Sequence, residues 1–163
     1  MELWDAYNKD GKKLDIDLIR GQDIKQGLFH LVCEIVVRHI DGSYLMMLRD
    51  YNKDIYPGYY ELGAGGSVLK GESSIEGAAR ELKEETGIAA NNLILISTYC
   101  DNKTAIYHSY LCETDINKND IVLQENETIG YKWISKDELV EFMNSDSSIA
   151  HQKVRWLNYQ HII

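Results

Sequence analysis

The sequence predicts an α/β fold, on three observations. A β-branched apolar run, Leu28 to His39, turns at Asp41-Gly42 into a second run from Tyr44 to Arg49. A helix start signal follows, because Ser73 can cap free N–H groups while Glu76, three residues on, reaches back to close a capping box. Two more strand-like runs, Leu93 to Tyr99 and Ala105 to Glu113, lie beyond that helix around Asp101-Asn102-Lys103. With 163 residues, 44% hydrophobic content and one proline, the chain suits a single domain over residues 1–163.

Taken in order, Leu3 to Tyr7 and Leu14 to Leu18 flank the turn signal Asn8-Lys9-Asp10-Gly11, which predicts an N-terminal hairpin over about residues 1–20. The runs 28–39 and 44–49 are expected to be two paired central strands. His30 and Glu34 share one side of the first by period two, and for each an edge or solvent-facing position is expected over a ligand role. Arg49 ends the second strand, where it is either a phosphate ligand or a plain surface arginine. Asp50 to Tyr59 is polar, holds Pro57 and reads as a loop. Tyr56, Tyr59 and Tyr60 either stack on a base there or fill the sheet surface. The glycine-rich stretch Leu62 to Gly66 lets backbone approach a ligand closely.

The helix predicted from Ser74 carries the chemistry. At about 100° per residue, Glu81, Glu84 and Glu85 fall within about 100° of arc, and Ile75, Ala78, Ala79 and Leu82 form another face. Crowded carboxylates repel, so a counter-charge is expected, and hard oxygen donors suit Mg²⁺ or Mn²⁺. Past the helix, His108 alternates with Ile106 and Tyr110 and is expected to be structural rather than a substrate contact. Asp115 to Asp120 reads as a loop. Gln124 to Glu127 precedes a short strand, Tyr131 to Ile134, and Ser135 and Glu138 open another capped helix. Ser147 to Gln160 reads as a last helix, with Ile149, Val154, Trp156, Leu157 and His161 near its apolar face.

Composition excludes several classes. A net charge of −9 with no basic run argues against a nucleic-acid polymer as partner. No apolar run is long enough for a bilayer, and Met1-Glu2-Leu3-Trp4-Asp5 does not open a signal peptide, so a soluble, cytoplasmic protein is expected. Cys33, Cys100 and Cys112 are odd in number and scattered, which predicts buried free thiols rather than disulfides or a zinc site.

The spacing of the central stretch is specific: Gly66, five residues, Glu72, seven residues, Arg80-Glu81-Leu82, one residue, Glu84-Glu85, one residue, Gly87-Ile88. This resembles the Nudix box, which fixes nine positions over these 23 residues. The segment from Glu2 to Gly11 also resembles the opening of the isopentenyl diphosphate isomerase-like subgroup. The resemblance implies a Nudix-type α/β/α sandwich with a mixed sheet, the box forming a loop and helix against it. It implies Mg²⁺-dependent hydrolysis of a small-molecule diphosphate, a nucleoside diphosphate linked to another moiety or a relative of one. On matching positions, Glu84, Glu85 and the Gly65 carbonyl become metal ligands, and Glu81 a ligand or the general base. Glu127, six residues before Trp133, competes as base, with Glu125 in reserve. Arg80 braces the carboxylates and Glu72 backs Arg80. A homodimer is compatible with the same resemblance. Two alternatives stand beside hydrolysis. One is a nucleotide-sensing module without catalysis. The other is an isomerase, which would need a cysteine and a histidine where Gly65 and Ser67 stand. Marks of NADH, coenzyme A or ADP-ribose hydrolases are not recognisable, so the substrate stays open.

Overall fold

The computed structural model describes residues 1–163. Its elements are β1 (Leu3–Tyr7), β2 (Lys13–Ile19), β3 (His30–His39), β4 (Tyr44–Arg49), β5 (Tyr60–Leu62), β6 (Ala64–Ser67), α1 (Ser74–Thr86), β7 (Leu93–Cys100), β8 (Ala105–Thr114), β9 (Thr128–Ile134), α2 (Lys136–Asn144) and α3 (Ala150–Tyr159). Seven strands make one sheet in the order β5-β4-β3-β8-β7, with β6 added on β3 and β9 on β4. The β3–β8 pairing is parallel and the remaining pairings are antiparallel, so the sheet is mixed as expected.

Period-two alternation divides β3 and β4 between two cores. Leu31, Cys33, Ile35, Val37, Leu45 and Met47 pack with Ala78 and Leu82 of α1. Val36, Tyr44 and Met46 pack on the opposite face with Leu139 and Met143 of α2 and Trp156 and Tyr159 of α3. These layers are an α/β/α sandwich. Full burial of a side chain such as Leu82 stabilises by about 1.5–3 kcal/mol. No helix is long and apolar enough to cross a membrane.

The N-terminal hairpin forms as predicted, β1 pairing antiparallel with β2. It docks on the body through the Tyr7–Phe29 bridge, through the Lys70 N–H donating to the Leu3 carbonyl at 2.9 Å, and through the Gly71 N–H donating to Asp5 Oδ2 at 2.8 Å. Trp4 stacks on His30 with ring centroids 4.4 Å apart.

Four expectations need correction. First, β3 and β4 pair only at Arg38 and Tyr44, beside their turn. Beyond it they part, and the glycine-rich stretch fills the gap as strand: β5 pairs with β4, and β6 with β3. Gly63 makes the crossing, at φ 69°, where a Cβ would meet the Ile35 carbonyl oxygen at 1.8 Å. Second, His30 and Glu34 are neither at an edge nor solvent-facing, because β3 lies between other strands and both side chains are covered. Third, Ile75 is exposed, leaving Ala78 and Leu82 as the apolar contacts of α1. Fourth, α3 turns Gln152, Arg155, Trp156 and Tyr159 inward, while Val154 and Leu157 are 46% and 49% exposed and His161 is also exposed. Gln152 and Arg155 tolerate burial because they find partners: Gln152 bonds both backbone groups of Leu62, and Arg155 meets Glu34. Of the three thiols, Cys33 and Cys112 are buried and Cys100 is only partly covered.

Candidate active site

Helix α1 starts at the predicted residue, with both arms of the Ser73–Glu76 capping box formed. Its apolar stripe sets the depth of each carboxylate. Glu85 follows Leu82 by three residues and Ala78 by seven, so it shares their inward stripe and is 6% exposed. Glu81 is half-covered beneath β6, and Glu84 faces solvent.

Arg80 organises the outer part of this face. Its Nε and Nη2 donate to the two oxygens of Glu72 at 2.8 and 3.1 Å, and Nη1 donates to Glu81 Oε1 at 2.7 Å and Glu84 Oε2 at 3.2 Å. Nη2 also donates to the Ser67 carbonyl at 3.0 Å, which ties the helix to the end of β6. The Arg80 hydrogen bonds lower the pKa of Glu72 despite partial burial. The same partners, Glu72 foremost, raise that of Arg80, so its charge is secure.

Glu85 is the least compensated group. Its one hydrogen bond comes from the Gly65 N–H at 3.2 Å, and no lysine or arginine reaches it. Burial, with repulsion from Glu61 and Glu81, pushes its pKa well above the usual carboxylate range. Burial likewise raises Glu81, with Glu84 and Glu2 adding repulsion that Arg80 only partly offsets.

Gly65, Arg80, Glu81, Glu84, Glu85 and Glu127 all line one polar cavity of about 400 Å³. Six candidates spread over more than sixty residues of sequence are therefore brought together. Glu72 stands behind Arg80, and Glu125 is not among the lining residues. Glu127 forms an ion pair with Lys53 across the cavity rim. No three acidic, histidine or cysteine side chains converge as a ready-made ion cage, since Arg80 holds Glu81 and Glu84 and Glu85 turns to Gly65.

A second, larger cavity of about 710 Å³ adjoins the first, sharing Arg49 and Gly66 with it, and is walled by Tyr56, Tyr99, Tyr107, His151 and Arg155 among others. Arg49 donates to Glu61 and to the Ile55 carbonyl, so it is neither free nor a plain surface arginine. Tyr56 reaches the cavity, whereas Tyr60 packs under Lys132, whose Nζ lies 4.2 Å from the ring centre. His108 bonds Ser74 Oγ at 2.7 Å at the start of α1, the structural role expected of it.

Sequence reasoning missed Arg155, His151, Glu61, Lys53, Arg20 and Glu2, all of which line one cavity or the other. Only Arg155 had a readable signal, its helical spacing with Gln152, Trp156 and Tyr159. Cys33 also touches the site, donating its thiol to the Gly66 carbonyl at 3.3 Å, and burial pushes its pKa up to about 12. Burial thus disfavours the thiolate, the form a nucleophile would need.

Fold and site together define an α/β/α sandwich protein whose carboxylate helix closes a polar cavity against a glycine strand. Residues 29–157 match the NUDIX domain, and the chain belongs to that family. It is 30% identical over 152 residues to the uncharacterized Nudix hydrolase lin0387 of Listeria innocua, covering 93% of this chain and 90% of that one. It is 29% identical over 134 residues to the nucleoside triphosphatase NudI of Escherichia coli, covering 76% of this chain and 91% of NudI. Among solved structures, DR0079 of Deinococcus radiodurans is similar in fold, with a TM-score of 0.78, 16% identity, and coverage of 97% of this chain and 99% of that one.

Proposed function

We propose that the chain is a Mg²⁺-dependent hydrolase of a nucleoside diphosphate linked to another moiety, with Gly66 to Ile88 serving as its Nudix box. The observation that supports this best is Glu85: a buried carboxylate beside two others, with one backbone donor and no cationic side chain. A hard divalent ion is the counter-charge that fits such oxygen donors, and Mn²⁺ would serve as well. Glu81, Glu84, Glu85 and the Gly65 carbonyl are the groups that would hold it. When bound, the ion neutralises phosphate oxygens and makes phosphorus open to attack by water.

The chain's own groups do the rest. Arg80 keeps Glu81 and Glu84 aligned, and Glu72 orients Arg80 through its paired hydrogen bonds. Glu81 is the better base for the attacking water, because its raised pKa increases its affinity for a proton while Glu127 is engaged by Lys53. The larger, tyrosine-walled cavity would take the nucleoside and the smaller one the phosphate chain, with Arg49 and Gly66 at their junction. The triphosphatase name of the similar NudI supports a nucleotide over a prenyl diphosphate. Gly65 and Ser67 stand where an isomerase would need a cysteine and a histidine, which argues against isomerase chemistry.

Product release is measured with Mg²⁺ on nucleoside triphosphates, nucleoside diphosphate sugars, dinucleoside polyphosphates and prenyl diphosphates, beside a Glu81→Gln control. Turnover of a nucleotide class that is lost in the control supports the proposal, and no turnover on any class defeats it. Gly66→Ala gives a sharper check. A Cβ there would meet Glu81 Oε1 at 2.4 Å, and a flexible carboxylate tip can move aside. The expected result is a near-unchanged melting temperature with kcat lowered about 10- to 100-fold, since small misplacements of a reacting group cost that much. Wild-type kcat in Gly66→Ala would remove Glu81 from the chemistry.

A further inference from the structure

The N-terminal hairpin precedes the family match, which begins at residue 29, yet it forms part of the wall of the carboxylate cavity. Glu2 and Arg20 line that cavity beside Leu69, Arg80 and Glu81. Their placement is built rather than incidental. Leu3 pairs with Ile19 at the open end of the hairpin, which brings Glu2 and Arg20 together, and the Arg20 N–H donates to the Glu2 carbonyl at 3.1 Å. Trp4 Nε1 donates to Glu2 Oε1 at 2.8 Å, and Arg20 Nη1 donates to Glu2 Oε2 at 2.9 Å.

Four cationic side chains line the cavity, and three are committed. Arg80 serves three carboxylates and a carbonyl, Arg49 serves Glu61 and Ile55, and Lys53 serves Glu127. Arg20 is different. Its side chain is 63% exposed and makes that single bond to Glu2, so the rest of its five N–H donors are unused. An exposed ion pair of this kind is weakly held and exchanges readily for a better anion.

The two cavities differ in what they can hold. The larger one has tyrosines and a histidine for a flat ring, whereas in the smaller one Leu69 is the sole apolar wall. The smaller cavity therefore suits phosphoryl groups and offers no stacking surface for a second ring system.

We propose that Arg20, carried in by the hairpin, binds the phosphoryl group farthest from the nucleoside and makes the site select nucleotides that end in a free phosphoryl group. This rests on the hydrolase reading of the same site. A free terminal phosphoryl group offers three oxygens and close to two charges, and a guanidinium can engage two of those oxygens at once. An esterified distal phosphate offers fewer terminal oxygens and one charge, so it gains less from the Arg20 guanidinium.

Affinities for a non-hydrolysable nucleoside triphosphate and for a nucleoside diphosphate sugar are measured by calorimetry in the wild type, Arg20→Ala and Arg20→Lys. Values of kcat and KM are taken in parallel on hydrolysable counterparts. The expected result is an Arg20→Ala loss of about tenfold in affinity for the triphosphate, below about twofold for the sugar-linked ligand, and partial recovery in Arg20→Lys. The effect falls on KM more than on kcat. Equal losses for both ligands, or no loss for either, overturn the proposal. Because Arg20 is exposed, an unchanged melting temperature is expected, and a fall of many degrees would assign Arg20 to hairpin stability instead. If the wild type cleaves nothing, the hydrolase reading fails. The calorimetric arm still decides whether Arg20 reads the terminal phosphoryl group.

Discussion

Glu85→Gln is expected to raise the melting temperature of the metal-free protein by about 2–5 °C while lowering turnover by about three orders of magnitude. The two effects share one cause. Glu85 is buried, faces repulsion from Glu61 and Glu81, and has a single backbone donor. Its ionised form therefore destabilises the empty protein, and a glutamine can still accept from Gly65 without the charge. With the charge goes the strongest reason for a cation to bind. The pH dependence has a definite sign. A carboxyl whose pKa is raised on folding favours the folded state most below its unfolded pKa of about 4.3, and that contribution is lost as pH rises through the elevated folded pKa. Without metal, wild-type stability should fall across that window, Mg²⁺ should restore it, and Glu85→Gln should show a smaller change in both, the remainder coming from Glu81, whose pKa is also raised by burial. Thermal melts across pH with and without Mg²⁺ check this, and a variant that gains as much stability from Mg²⁺ as the wild type would take Glu85 out of the ligand set.

Arg155→Ala is expected to destabilise the protein by about 3–5 kcal/mol, a fall of about 10 °C in melting temperature. Arg155 Nε donates to Glu34 Oε2 at 2.7 Å, and both side chains are 7% exposed. Ser109 Oγ donates to the other Glu34 oxygen at 2.7 Å, and the guanidinium lies 4.0 Å over the Tyr107 ring. Removing the arginine strands a charge in the sheet and frees a ring that walls the larger cavity. Urea denaturation of Arg155→Ala, Glu34→Leu and the pair Arg155→Met with Glu34→Leu separates the contributions. The paired variant should recover most of the loss, because apolar replacement of both partners leaves nothing unpaired. If Arg155→Ala costs under about 1 kcal/mol, the pair is no anchor.

What the sequence made legible was local. The capping box, the positions of Glu81, Glu84 and Glu85 on one helix, and the brace from Arg80 all follow from spacings of a few residues, which helical geometry converts directly into space. Glu127 came only from the family resemblance, which implies an acidic residue in the loop before that strand. What stayed hidden depended on partners far along the chain. The glycine stretch gave no strand signal because its strand character comes from pairing in the gap between β3 and β4. Glu34 read as an edge or solvent-facing residue because its partners are Ser109 and Arg155, and the face of α3 was legible only in part, right for Ile149 and Trp156 and wrong for Val154 and Leu157, because its inward stripe includes two polar residues matched to the sheet. Arg20 had no pattern at all, since only docking of the hairpin carries it to the carboxylates.

The Glu34–Arg155 pair also bears on how the chain matures as it leaves the ribosome. Glu34 is made early, and its counter-ion follows 121 residues later. Until then the centre of the sheet holds an acid with no base and the second core lacks Trp156 and Tyr159, so the nascent domain is expected to gain most of its stability only when α3 docks. A ribosome-stalled series should accordingly stay protease-sensitive at every length that withholds Arg155, and become resistant abruptly once α3 has cleared the exit tunnel.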